Sequence, residues 1–266
     1  MIAILNSIDA CHLPLILFRL ILKGNNVKTF IAVCGLALSF SALASPHWEY
    51  SGEAGPEHWA ELAPEFAACH AQNQSPVNLT GTVKSDLKPF HITYAAGAEN
   101  MVNNGHTLQV NYAPGSKVEV DGISFELKQF HFHTPSENQI DGKTFPMEIH
   151  FVHANSKGEL TVLAVMVKEG KANPTLAKLW KEMPKTGETV TYDQKINAKG
   201  LLPTNLHYYR FSGSLTTPPC TEGVRWLVLK NQITASHEQI QAFTALMGHP
   251  NNRPIQPINA REVLKD

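Results

Sequence analysis

"SKVEVDGISFELKQFHFH" (residues 116–133) alternates apolar and polar positions on either side of Asp121-Gly122. Alternation with a period of two marks a half-buried strand, and Asp-Gly is a favoured two-residue hairpin turn. The stretch therefore predicts two antiparallel strands, the second ending in a His-x-His pair. Working outward, "TLQVNY" (residues 107–112) alternates in the same way. "EIHFVHA" (148–154) and "ELTVLAVMV" (159–167) flank a second turn signal, Asn155-Ser156-Lys157-Gly158, and "VRWLVLK" (224–230) is a further strand. Positions 160–167 are almost continuously apolar, as in a sheet covered on both faces. Helical signals are few. Asn173 can cap a helix that has Pro174 at its first position, Leu176, Leu179, Trp180 and Met183 at helical spacing, and Pro184 as its stop. Ser236 with Gln239 forms a capping box ahead of Ile240 and Phe243. The expectation is a mainly β protein of the α+β class, one large sheet with peripheral short helices.

The chain has 266 residues, 43% hydrophobic and 17% charged, with a formal net charge of −1. That composition supports a sizeable core and offers no electrostatic footprint for nucleic acid or an anionic membrane. Residues 1–44 stand apart. Lys23 and Lys28 precede the apolar run "TFIAVCGLALSFSALA" (29–44), which ends in Ala42-Leu43-Ala44. A basic flank, an apolar stretch and an A-x-A end describe a secretory signal peptide, and about 16 apolar residues fall short of the roughly 20 that span a bilayer. Residues 1–22 fit a signal poorly, so translation is expected to begin near Val27. Bulky Val33 before Cys34 argues against a lipoprotein. Loss of 1–44 removes Arg19, Lys23, Lys28 and Asp9, which leaves 19 basic and 22 acidic residues, a net of −3. It also leaves two cysteines, Cys69 and Cys220; an even pair in an exported chain suggests a disulfide, with two unpaired buried thiols as the alternative. No repeat, low-complexity tract or linker follows Ala44, so residues 45–266 read as one domain.

Four of the thirteen histidines lie between residues 131 and 153. Side chains at i and i+2 of a strand share a face, so Gln129, His131 and His133 project together. In the later strand Glu148, His150 and Val152 share a face and His153 points the other way. If these strands pair, His131, His133 and His150 converge. Three neutral imidazoles are a typical ligand set for one zinc ion, leaving its fourth position open. Gln129 and Glu148, each two residues from a ligand on the same face, suit the partners that fix an imidazole's tautomer.

"QFHFHTPSEN" (129–138) followed by "MEIHFVH" (147–153) resembles the zinc site of the α-class carbonic anhydrases. "GSLTTPPC" (213–220) resembles that family's threonine loop. "GPEHW" (55–59), "NQSPVNL" (73–79), "NNGHTLQV" (103–110) and "NRPIQP" (252–257) match it in order. The resemblance covers residues 48 to 261, and the cysteine pair and the short interval from His133 to Glu137 are similar to bacterial exported members. It implies a large twisted, mixed, mostly antiparallel central sheet. It also implies a hydro-lyase that reversibly hydrates carbon dioxide to bicarbonate and a proton through zinc-bound hydroxide, with a water pKa near 7 that is a property of carbonic anhydrases in general.

Position by position, the resemblance makes His131, His133 and His150 the ligands of one zinc and Gln129 and Glu148 their partners. Thr216 would accept a hydrogen bond from the nucleophile and donate to Glu137. Val152, Val162, Leu215 and Trp226 would form an apolar wall for carbon dioxide, with Thr217 on the polar side. His106 would carry the proton out, helped by waters ordered at Tyr50 and Asn104, although Gln109 stands where the family often has Asn. Cys69 and Cys220 match positions that form a disulfide, and Ser75–Pro76 and Pro218–Pro219 match cis peptides. A side activity on activated esters is compatible with this chemistry. A non-catalytic relative of the family would have lost a ligand histidine, and a zinc scavenger would show exposed His/Asp-rich tracts; neither pattern is present. The expected partners are carbon dioxide, bicarbonate and water, without nucleic acid and without stable membrane insertion of the mature chain; a homodimer is left open. The expected location is the periplasm or outside the cell.

Overall fold

The computed structural model describes residues 46–266, so the expectations for the leader, its start and its cleavage lie outside the described residues. The described chain is built on a thirteen-stranded mixed sheet. From one edge, its main order is Thr189–Asn197, Ala96–Asn103, Leu108–Tyr112, Ile123–His133, Met147–Ala154, Leu160–Glu169, Glu222–Leu229, Tyr208–Ser214, Leu264–Lys265 and Val83–Lys84. Most neighbours are antiparallel. Leu160–Glu169 runs parallel to Glu222–Leu229 and to the short strand Ile233–Ala235, which makes the sheet mixed. Both hairpins expected from turn residues are present: Lys117–Val120 pairs with Ile123–His133 across Asp121-Gly122, and Met147–Ala154 pairs with Leu160–Glu169 across residues 155–158.

Each face of the sheet buries its own apolar layer. Leu163, Val165 and Val167 enter a large cluster with Phe130, Phe132 and Phe151, while Val162, Ala164 and Met166 enter a smaller one with Val152 and Trp226. The near-continuous apolar run at 160–167 thus serves two cores. A β-bulge decides which side chains meet the smaller one. Between Leu127 and Gln129 the register against Met147–Ala154 slips by one, and Lys128, exposed, is the extra residue. Before the bulge odd-numbered Phe125 and Leu127 face the large cluster; after it even-numbered Phe130 and Phe132 do. Because one inserted residue exchanges the faces of everything beyond it, Gln129, His131 and His133 turn to the opposite side.

The helices are short and peripheral. Asn173 caps Pro174–Leu179 by accepting from Thr175 N (2.8 Å) and Leu176 N (3.1 Å). This helix ends at Leu179, earlier than the spacing out to Met183 suggested. The following loop is drawn back to the sheet, where Asn103 Nδ2 donates to Pro184 O (3.0 Å) and Gly187 N donates to Asn103 O (2.8 Å). The capping box of His237–Met247 is present, and Gln239 also grips the first helix's cap through Asn173 N (2.8 Å) and O (2.9 Å). A third apolar cluster, Trp59, Phe66, Cys69 and Cys220 with Trp48 and Tyr50 against it, contains the Cys69–Cys220 disulfide. Ser75–Pro76 and Pro218–Pro219 are cis, and so is Thr134–Pro135, which carried no such expectation.

Candidate active site

The strand Ile123–His133 lies beside Met147–Ala154 with His131 opposite His150, His133 opposite Glu148 and Gln129 opposite Val152. The imidazole centroids of His131, His133 and His150 are 5.0, 5.4 and 4.6 Å apart, and one nitrogen from each lies within 4.8 Å of the others. His133 and His150 are buried, whereas His131 is half-buried. Burial lowers the basicity of all three, and the neighbouring imidazoles push His131 and His150 down further. The site therefore favours neutral imidazoles, the form that binds a metal.

The other ring nitrogens decide which atoms are free. His131 Nδ1 lies 2.8 Å from Gln129 Oε1, and His133 Nδ1 lies 2.7 Å from the carbonyl of Asn251. Donation there leaves Nε2 of each with its lone pair. His150 is reversed: its Nε2 sits 2.9 Å from Glu148 Oε1, out of line for a good hydrogen bond, which leaves Nδ1 for the shared centre. Glu148 is held by three donors: Glu137 N and Asn138 N at 2.8 Å and Asn138 Nδ2 at 2.7 Å. Burial raises its pKa, and those donors pull it back.

Glu137 reaches the same centre. Its Oε1 accepts from Arg253 N at 2.8 Å, while Oε2 lies 3.5 Å from His133 Nε2 and 3.8 Å from His150 Nδ1. Burial pushes this carboxyl up to about 8, against the Arg253 N–H and the Thr216 hydroxyl, which lower it. His133 Nε2 and Glu137 Oε2 are buried without a hydrogen-bond partner; the Thr216 hydroxyl is near enough to lower the Glu137 pKa but makes no well-formed hydrogen bond to Oε2. Unpaired buried polar atoms are costly, so His133 Nε2 and Glu137 Oε2, gathered with the other two neutral imidazoles, fit a divalent cation, whose charge would also favour ionised Glu137.

One side of this centre is apolar. Val152, Val162 and Trp226 belong to the smaller core, with half-buried Leu215 packed against it, and the Trp226 ring stands edge-on to His150 at 4.9 Å. Trp226 Nε1 donates to Ser214 O (3.0 Å), tying the wall to the loop that bears Thr216 and Thr217. Thr217 accepts through its carbonyl from Cys220 N (2.9 Å), and Gln74 Nε2 donates to Cys220 O (3.1 Å), so the loop is closed at the disulfide.

His106 lies on the turn before Leu108–Tyr112. Asn104 Oδ1 shapes that turn by accepting from His106 N (3.0 Å) and Thr107 N (2.9 Å). Thr107 Oγ1 donates to Phe132 O (2.6 Å), linking the turn to the strand that bears His131 and His133. The His106 ring stacks on Trp48 at 3.7 Å, with Tyr50 edge-on at 6.3 Å. Burial lowers the basicity of His106. His153 faces away as expected, with Nε2 2.6 Å from Tyr94 Oη. Asn251, Asn138 and Arg253 complete the site, and the sequence alone assigns none of them a role there. The missing partner of His133 was the available signal, since the other two proposed ligands each had one.

A protein-family model for eukaryotic-type carbonic anhydrase matches residues 54–266. A carbonic anhydrase of Pectobacterium carotovorum is 48% identical over 246 residues, covering 91% of this chain and 100% of that protein. The α-carbonic anhydrase of Thermovibrio ammonificans, solved with the inhibitor sulfanilamide, superposes with a TM-score of 0.82 at 49% identity over 84% of this chain and 100% of that one. A hyperthermostable carbonic anhydrase from a hydrothermal vent chimney gives a TM-score of 0.81 at 52% identity, covering 82% and 99%. A match that spans nearly all the described residues, on a sheet of the expected kind, places the chain in the α-carbonic anhydrase family.

Proposed function

We propose that this protein reversibly hydrates carbon dioxide to bicarbonate and a proton with one zinc ion held by His131 Nε2, His133 Nε2 and His150 Nδ1. The observation that carries the proposal is the convergence of those nitrogens, two of the rings fully buried, beside the partnerless Oε2 of Glu137. Zinc in that cage would lower the pKa of a water at its open position to about 7, a magnitude taken from carbonic anhydrases in general.

The chain's own residues supply the remaining work. Gln129, the Asn251 carbonyl and Glu148 fix the tautomers, so that each ligand nitrogen keeps its lone pair. A hydroxyl donates once, so a Thr216 that donates to ionised Glu137 presents only lone pairs to the site. The attacking oxygen must then donate a hydrogen bond to Thr216, which turns its own lone pair toward the substrate carbon. Carbon dioxide is small and apolar and needs a wall without a charged clamp, which Val152, Val162, Leu215 and Trp226 provide; Thr217 lines the polar side. His106 takes the released proton through waters ordered at Tyr50 and Asn104 and passes it outward. The same polarised centre would also attack the carbonyl of an activated ester.

We assign the mature protein to residues 45–266, with the leader removed on export to the periplasm or beyond. The Cys69–Cys220 disulfide suits an oxidising compartment. Among the described residues no helix is long and apolar enough to cross a membrane. The test is proton release on mixing with carbon dioxide, before and after removal of zinc by a chelator and after zinc is restored. A rate that disappears with the metal and returns with it is expected; a zinc-loaded protein without activity would leave a non-catalytic member of the family.

A further inference from the structure

The surroundings of His106 raise the question of where its proton goes next. Trp48 covers one face of the ring, parallel within 10° at 3.7 Å, and Tyr50 borders its edge. Its Nδ1 is buried without a hydrogen-bond partner, which leaves Nε2 as the ring nitrogen that solvent can reach. Release must then use Nε2, in a ring whose contact with bulk solvent is restricted. Tyr50 also neighbours the half-exposed ring of His249, at the same 6.3 Å centroid separation. His249 Nδ1 lies 2.9 Å from Pro250 O; donation there leaves Nε2 with its lone pair. The loop that bears His249 is bound to the His106 turn itself, because Asn251 Nδ2 donates both to His106 O and to Phe132 O at 2.9 Å.

We infer that His249 is a second proton relay, taking on Nε2 the proton that His106 releases and delivering it to solvent. This rests on the carbon dioxide hydration proposed above. The balance is simple: imidazolium at His106 and imidazole at His249 exchange states, and a buffer base then removes the proton from His249. No other species is consumed. Among the described residues the other titratable groups that act on or border His106 are Tyr50, Glu49 and His47, and Glu49 Oε1 lies 3.1 Å from His47 Nε2. Charge on His249 or His47 makes His106 less basic, in the same direction as its burial, whereas Glu49 opposes this. A proton on one ring therefore disfavours a proton on the other, and the pair passes protons singly.

The test uses the zinc-loaded full chain with His249→Gln, alone and combined with His106→Ala. Carbon dioxide hydration is followed over a range of buffer concentrations. The His249→Gln enzyme should lose roughly 3–10-fold in kcat in dilute buffer, less than the ~10²-fold or more of a group acting on the reacting atoms. kcat/KM should be unchanged, and added imidazole should restore kcat. In the His106→Ala background the second change should have no further effect, since the relay acts through His106. Wild-type kcat in dilute buffer, a loss that imidazole does not repair, or an equal loss without His106 would each overturn the relay while leaving carbon dioxide hydration intact. Absence of zinc-dependent hydration in the unaltered chain would overturn both.

Discussion

Replacing Glu148 by glutamine removes one acceptor oxygen and changes little else in shape, which makes it a sharp test of how the proposed metal site is held. Glu148 Oε2 accepts from two backbone N–H groups, and Oε1 accepts from Asn138 Nδ2 and faces His150 Nε2. A glutamine oxygen left with the two backbone donors puts its NH2 against the NH2 of Asn138. Asn138 cannot rotate away freely, since its Oδ1 accepts from Val77 N at 3.1 Å. One buried donor is therefore stranded, at a cost of about 1–3 kcal/mol. That is survivable against a total stability of ~5–15 kcal/mol. Alanine would strand three donors and threaten the fold itself. The glutamine N–H also demands a lone pair at His150 Nε2, which moves the imidazole proton to Nδ1, the atom proposed to bind zinc. Loss of such a partner lowers metal affinity by ~10–100-fold, and the reversed tautomer places Glu148→Gln at the upper end, about 2.7 kcal/mol. Chelator competition measures the affinity, nitrogen NMR of His150 reports the tautomer, and urea unfolding confirms the fold. Wild-type zinc affinity in a folded Glu148→Gln protein, or a proton still on Nε2, would refute the reasoning.

Thr216→Val keeps the side chain's shape and removes its hydroxyl; zinc content should hold while kcat/KM falls by ~10²-fold, and a smaller loss in stopped-flow assays would deny Thr216 its orienting role. The Cys69–Cys220 bond spans a sequence separation of 151. In the chain-entropy model it stabilises by ~5 kcal/mol, so the double serine variant should melt about 10–20 °C lower by calorimetry. His153 is held down to about 4 from 6.5, by burial above all, so the unfolded chain binds the extra proton between those values. Stability should therefore fall as pH drops from about 6.5 to 4, by ~1.4 kcal/mol per pH unit from this group at most. His153→Gln should flatten that slope in urea titrations, and an unchanged slope would show that His153 does not govern it.

Much of the fold follows from rules that act over a few residues. Asp121-Gly122, the two-sided apolar run at 160–167 and the Ser236/Gln239 box each express a local preference that tertiary packing reinforces. The helix starting at Pro174 shows the limit: its cap was legible, but its end was set by Asn103 and the loop it holds, about eighty residues earlier in the chain. The bulge at Lys128 is a subtler case. Strict alternation carried back from His131 would put it on the same side as Phe125 and Leu127. The spacing from Leu127 to Phe130, three where a strand requires an even number, already contains the correction.

The candidate site divides along the same line. His131, His133 and His150 could be paired from the two-residue period and a guess that their strands are neighbours, because a ligand's face is a local property. The atoms that make the cage usable come from far away. Asn251 is 118 residues beyond the His133 nitrogen it holds, and Arg253 is 116 beyond the carboxylate it fixes. Arg253 itself is buried, with Nη1 donating to Gln74 Oε1 and Ser75 O and Nη2 to Cys69 O. Side chain and backbone N–H of this one residue thus connect the disulfide, the Ser75–Pro76 bend and the acid beside the three histidines. No periodicity or spacing encodes a bridge of that kind, because it depends on three loops meeting only after the sheet has formed. What does survive in the sequence is a deficit: three proposed ligand imidazoles with only two proposed partners. A buried imidazole needs both of its nitrogens placed, so the deficit required a third group, here the backbone carbonyl of a loop more than a hundred residues away.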